Sequence, residues 1–145
     1  MEAWWEGFFQ AYPNGLNCSE QNDNLIEISL KVCSKNTDII KIIEKADQLA
    51  LKYKLIVQSH GGLGHGITRL FLKGEKESLT SFIEQLRRFV AEKYGFVVIT
   101  HMPEQMRKEI DVWGEKPAYL PILKGIKQQA DPNKILNCSR FIGGI

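Results

Sequence analysis

The chain has 145 residues, of which 43% are hydrophobic, 25% charged and 10% aromatic, the proportions of one ordinary globular domain with a core of its own. Twelve glycines and five prolines are too few for a low-complexity chain, and no apolar run reaches the roughly 18 residues that a membrane span needs. Nineteen basic against seventeen acidic residues leave a formal charge of +2, so nucleic acid is not an expected partner.

The opening MEAWWEGFF is apolar but short. It carries two glutamates where a secretory leader has basic residues, and no small-residue cleavage site follows, so a cytoplasmic protein is expected. Its aromatic residues Trp4, Trp5, Phe8 and Phe9 read as packing against the body of the domain or as a binding surface, with packing the simpler expectation. Residues 25–33 alternate apolar and polar, LIEISLKVC, which predicts a first strand with one buried face. Asn36 or Thr37 is placed to cap a helix, and Ile39, Ile42, Ile43, Ala46, Leu49, Ala50 and Tyr53 recur at helical spacing up to about Lys54.

A second strand is expected over 55–59 and a third over 67–73, joined by the glycine-rich hairpin His60-Gly61-Gly62-Leu63-Gly64-His65-Gly66. Leu79, Phe82, Ile83, Leu86, Val90 and Tyr94 form a second helical stripe, with Gly95 as its left-handed stop. A β-branched run, Phe96-Val97-Val98-Ile99-Thr100, completes the order strand, helix, strand, strand, helix, strand. That order predicts an α+β fold of ferredoxin-like plan, β-α-β-β-α-β. Its antiparallel sheet has both helices on one face, and the other face is either covered by something else or left wet. Helical extensions are expected at both ends: the core runs over about 25–103, residues 104–117 read as a loop around Val112-Trp113-Gly114, and a third helix runs from Tyr119 through Ile126 to a stop before Asp131-Pro132.

Chemistry-bearing residues are sparse. Cys18, Cys33 and Cys138 are odd in number and lack a C-x-x-C pair, so they read as reduced thiols, Cys33 as a small buried residue. His60 and His65 share one hairpin, but two local histidines fall short of the three protein ligands a catalytic zinc takes, so no metal is expected. Gly62-x-Gly64-x-Gly66 joins two strands and does not match the dinucleotide fingerprint. His101, before Met102-Pro103, has no recognisable nucleophile beside it. Arg69 and Arg140 are single cations suited to hold a carboxylate or to sit in water.

Three islands carry a resemblance. The tail Leu120-Pro121-Ile122-Leu123-Lys124-Gly125-Ile126 continues through Asp131-Pro132-Asn133-Lys134-Ile135-Leu136-Asn137-Cys138-Ser139-Arg140-Phe141, Asp111-Val112-Trp113-Gly114 stands ahead of it, and His60-Gly61-Gly62-Leu63-Gly64 lies upstream. Together they resemble the C-terminal domain of FAD-linked oxidases, and most closely the glycolate oxidase branch. That family ends in D-P-x-G-I-L-N-P-G-R-F, so Asp131, Pro132, Ile135, Leu136, Asn137, Arg140 and Phe141 agree while Lys134, Cys138 and Ser139 depart. Where metal-using members carry a second histidine, this sequence has Ile67.

The resemblance implies one domain over 1–145, the cap or substrate domain of a flavin-dependent oxidase or dehydrogenase acting on 2-hydroxy acids of the glycolate or D-lactate type. It implies His60 and Arg69 as substrate-binding residues and Asn137 and Arg140 as cofactor-binding ones. About 24 residues before the first strand cannot enclose a dinucleotide, so the flavin-binding domain is expected to be absent. FAD is then expected only through a flavin-binding partner, and the chain alone is expected to be inactive. The open sheet face, the Trp113 loop and the tail residues Ile135, Leu136 and Phe141 are expected to meet that partner or a second copy in a symmetric dimer. The alternative expectation is a non-catalytic ferredoxin-like binding or assembly module.

Overall fold

The computed structural model describes residues 25–62 and 64–145. The expectations placed on Trp4, Trp5, Phe8, Phe9 and Cys18 lie outside these residues. Four strands, β1 (Ile26–Cys33), β2 (Ile56–Gly62), β3 (Ile67–Gly74) and β4 (Phe96–His101), alternate with two long helices, α1 (Ile39–Tyr53) and α2 (Lys76–Ala91). The sheet order is β2-β3-β1-β4, with every neighbouring pair antiparallel. This is the expected ferredoxin-like α+β plan.

Period-two alternation decides which side of each strand is dry. Ile28, Leu30 and Val32 of β1, Leu70 and Leu72 of β3, and Val97 and Ile99 of β4 are buried. They share one core with Ile42, Ala46, Leu49 and Ala50 of α1 and Leu79, Phe82, Ile83, Leu86 and Val90 of α2. Both helices therefore cover the same face. The opposite face carries the intervening residues Glu27, Ser29, Lys31 and Cys33 of β1 and Ile67, Arg69, Phe71 and Lys73 of β3. Cys33 is consequently half-buried on the face opposite the helices and not a core residue. In β4 the pairing with β1 shifts between Ser29 and Leu30. Thr100 is the extra residue, and its hydroxyl donates to the Ser29 carbonyl at 3.1 Å.

Several local expectations are corrected. No side-chain cap opens α1; a 3-10 turn, Asn36–Asp38, leads into it instead. The left-handed residues that end the helices are Lys54 (φ 55°) and Tyr94 (φ 60°), not Gly95. Tyr94 is 89% exposed and so leaves the apolar stripe. Gly95 is needed for space, because a Cβ there would stand 2.6 Å from the Cys33 carbonyl oxygen and 2.7 Å from the Val90 side chain. β2 extends through Gly62, so His60 belongs to a strand and only the following residues turn. Gly66 (φ 67°) closes that turn where a side chain would strike the Ser34 carbonyl.

Beyond β4 the chain forms a short helix, α3 (Glu104–Arg107), inside the stretch expected to be loop, and then α4 (Leu120–Ala130). Met102 and Met106 anchor the start of this extension in the core. Among the described residues no helix is long and apolar enough to cross a membrane.

Thr68 faces the helices from β3, is fully buried, and its hydroxyl has no hydrogen-bond partner among the described residues. Burying an unpaired hydroxyl costs about 1–3 kcal/mol. The Thr68→Val variant is therefore expected to gain about 1 kcal/mol in urea denaturation; a loss of stability would show that the hydroxyl is paired.

Candidate functional site

The residues expected to bind substrate meet on the sheet face opposite the two helices. Antiparallel pairing sets His60 of β2 directly opposite Arg69 of β3, and Arg69 directly opposite Lys31 of β1. Lys31 in turn faces Val98 of β4. Directly opposed residues hold their Cβ atoms about 5 Å apart, so His60, Arg69 and Lys31 form one row across three strands. His60 and Arg69 are exposed and Lys31 is half-buried. The next row toward the hairpin is Gly62, Ile67, Cys33 and Phe96, and Phe96 is 58% exposed. On the other side stand Gln58, Phe71 and Ser29, and beyond them Lys73 pairs with Glu27 at 3.3 Å.

His65 lies in the turn itself, exposed, with its ring against Gly62 where a Cβ would collide. Among the described residues no three His, Cys, Asp or Glu side chains group as metal ligands.

Asn137 and Arg140 lie elsewhere. Asp111, Val112, Trp113 and Gly114 run along the β4 edge, where the Ile99 amide donates to the Val112 carbonyl at 2.8 Å. The Asp111 carboxylate accepts from the Trp113 amide at 2.8 Å, and Gly114 takes a φ of 85°. The Trp113 indole donates to the Arg140 carbonyl at 3.3 Å and stacks edge-on against Phe141, ring centroids 5.0 Å apart. The tail thus joins the fold outside β4, whereas the His60 and Arg69 strands lie on the opposite side of β1.

Sequence reasoning passed over the residue that holds this loop. Arg87 of α2 donates to the carbonyls of Asp111 at 2.7 Å and Val112 at 3.2 Å. Its desolvation by burial pulls its pKa below the usual arginine range, against the opposing pull of the Asp111 and Glu115 carboxylates. The signal was its place between Leu86 and Val90 on the apolar side of the helix, which reads as an ordinary surface arginine until the loop is placed. Arg87, Arg88, Phe96, Trp113 and Glu115 border an open cleft of about 670 Å³. Its mixed charges favour no single ligand type.

Asp131 is a second unforeseen anchor. Its buried carboxylate accepts from Lys127 Nζ at 2.5 Å and from the Ile135 and Leu136 amides at 3.0 Å each. Lys127 also donates to the Leu136 carbonyl at 2.6 Å. Led by the Lys127 hydrogen bond, these contacts lower the Asp131 pKa to about 2. Lys134, Asn137 and Ser139 all take left-handed φ as the chain winds around this knot. The glycine and proline of the resembling tail are not needed for it to turn. A cleft of about 530 Å³ beside the knot is bordered by Lys124, Lys127, Lys134, Cys138 and Ser139.

No family model and no curated protein matches the chain. Among solved structures, a C-terminal segment of the alpha subunit of aIF2 from Pyrococcus abyssi is similar over 55% of this chain and 51% of that one, at 17% identity and a TM-score of 0.42. The chain spans about half the length of that segment. The de novo designed protein Foldit4 is similar over 55% of this chain and 99% of its own, at 10% identity and a TM-score of 0.38. Neither likeness bears on function.

Because the Asp131 pKa is lowered on folding, the stability it contributes is present above its ordinary value of 3.8 and is lost as pH falls through about 2. Amide exchange at Ile135 and Leu136 is expected to accelerate, relative to core amides, between about pH 4 and pH 2. In Asp131→Asn that acceleration is expected to be present already at pH 7. Equal protection at pH 7 and pH 2 would show that the carboxylate does not hold the tail.

Proposed function

We propose that this chain is the cap of a flavin-dependent 2-hydroxy-acid oxidase or dehydrogenase, working in the cytoplasm with a flavin-binding partner against its open sheet face. The observation that carries the reading is the direct opposition of His60 and Arg69 on the face that the helices leave open. A guanidinium beside an imidazole suits a 2-hydroxy acid: Arg69 takes the carboxylate in a charge-assisted, bidentate contact, and His60 orients the hydroxyl and accepts its proton. The flavin, when bound by the partner, supplies the hydride chemistry. Toward that cofactor this chain offers Arg140, exposed and without an ion pair among the described residues, and Asn137, whose left-handed backbone turns the tail. Such groups fit contact with the edge of an anionic cofactor held elsewhere.

A second reading, a non-catalytic binding or assembly module, is favoured by the exposed apolar residues of the extension. Ile122, Ile126, Ile135 and Leu136 are each 59–76% exposed, and such surface marks interfaces, including those between two copies of one chain.

The purified chain is expected to show no flavin absorbance after dialysis, and glycolate is expected to shift the NMR signals of His60 and Arg69, an effect lost in Arg69→Gln. A retained flavin band would overturn the division of labour proposed here. Glycolate leaving both residues unmoved would overturn the assigned substrate contacts.

A further inference from the structure

We infer that the outer edge of β2 is the surface on which two copies of this chain pair, antiparallel about a two-fold axis at Ser59, so that two four-stranded sheets become one of eight. The two edges of the sheet are finished differently. At β4 the chain covers its own edge, where the Ile99 amide donates to the Val112 carbonyl at 2.8 Å. Among the described residues β2 has a strand on one side only, β3. Natural proteins blunt an uncovered edge with lysine, proline, an inward-pointing charge or a bulge. β2 reads Ile56-Val57-Gln58-Ser59-His60-Gly61-Gly62 and carries no Lys, Arg, Asp, Glu or Pro. Its pairing with β3 also runs without a shift from Ile56 to Gly62. Such an edge is a template for a further strand.

The side chains of β2 select its own copy as that strand. They are graded, large at Ile56 and Val57 and absent at Gly61 and Gly62. Antiparallel pairing about Ser59 sets Ile56 opposite Gly62 of the second copy, Val57 opposite Gly61, and Gln58 opposite His60, so each large residue meets a space and no carboxylate or ammonium meets its like along the strand. A strand edge alone buries too little, because a standard interface takes about 800 Å² from each partner. α1 supplies a second layer. Ile40, Ile43, Asp47 and Leu51 follow one another at helical spacing. Ile43 of this stripe faces β2, 3.6 Å from where a Cβ on Gly61 would stand, while Lys45 and Tyr53 on the other flank meet Phe89 and Gln85 of α2. Ile40 and Leu51 are 61% and 82% exposed. Because the start of α1 lies over the Gly61 end of β2, the same two-fold brings Ile40 of one copy toward Leu51 of the other. Asp47, between them, then approaches its own mate, a like-charge contact that salt screens.

Sedimentation equilibrium of the full chain over a wide concentration range, with Ser59→Lys and Ser59→Glu beside it, tests this pairing. Ser59 is exposed, so both variants are expected to keep the far-UV dichroism of the unsubstituted chain. Each puts like charges together on the axis and is expected to weaken dimerisation at least about tenfold. An equimolar mixture of the two is expected to recover a dimer, because an ammonium then meets a carboxylate across the axis. Raised salt is expected to tighten the unsubstituted dimer as the paired Asp47 carboxylates are screened. A chain that stays monomeric throughout, a dimer indifferent to both substitutions or loosened by salt, or a mixture that stays monomeric would overturn the inference. So would a dimer broken by Ile126→Glu but not by Ser59→Lys, which would place the contact on the α4 and tail surface.

Discussion

The alternation of β1 and β3 under two helices that share one face is the constraint on which the rest of the molecule depends. Ile28, Leu30, Val32, Leu70 and Leu72 reach the helices in the observed register, and a slip of one residue in β1 or β3 would turn Lys31 or Arg69 into the core in their place. Burying an unpaired cation there costs several kcal/mol even after relaxation. The core therefore fixes more than stability. By locking register it also fixes which polar residues become neighbours on the side that the helices leave open.

A second, polar system holds the extension. Arg87 ties the Asp111 and Val112 carbonyls to α2, the Val112 carbonyl also extends the β4 edge, and Trp113 carries the tail through Arg140 and Phe141. Asp131 then fastens Ile135 and Leu136 back to α4 through Lys127. Of α4 only Leu120 is buried, so among the described residues the extension past Met106 rests largely on these directed contacts. Hydrogen bonds to charged groups are geometrically specific, which suits a segment whose apolar side chains stay exposed.

Much of this was legible in the sequence, for reasons that differ from element to element. The stripes of α1 and α2 and the alternation of β1 follow from periodicity, which needs no knowledge of neighbours. The end of β2 was not legible, because Ser59-His60-Gly61-Gly62 has turn chemistry and only pairing with Thr68, Arg69 and Leu70 keeps it extended. Tyr94 rather than Gly95 takes the left-handed position because Gly95 is required against Cys33 and Val90. His60 and Arg69 stand out separately, on residue type, while Lys31 reads only as the wet side of a strand. Lys31 joins them through register, a property of two segments at once. Arg87 and Asp131 were hidden for the same reason, since their partners lie on loops that sequence patterns do not place.

Everything proposed for the open face depends on one register bringing Lys31, Arg69 and His60 into a row. Nuclear Overhauser contacts in the full chain test it most directly. Contacts are expected from the Arg69 side chain to both Lys31 and His60, with Leu70 in contact only with buried side chains of the helix-covered core. Arg69 contacts to the buried residues of α1 or α2, or Lys31 and His60 side-chain contacts to Thr68 or Leu70 in place of Arg69, would contradict it.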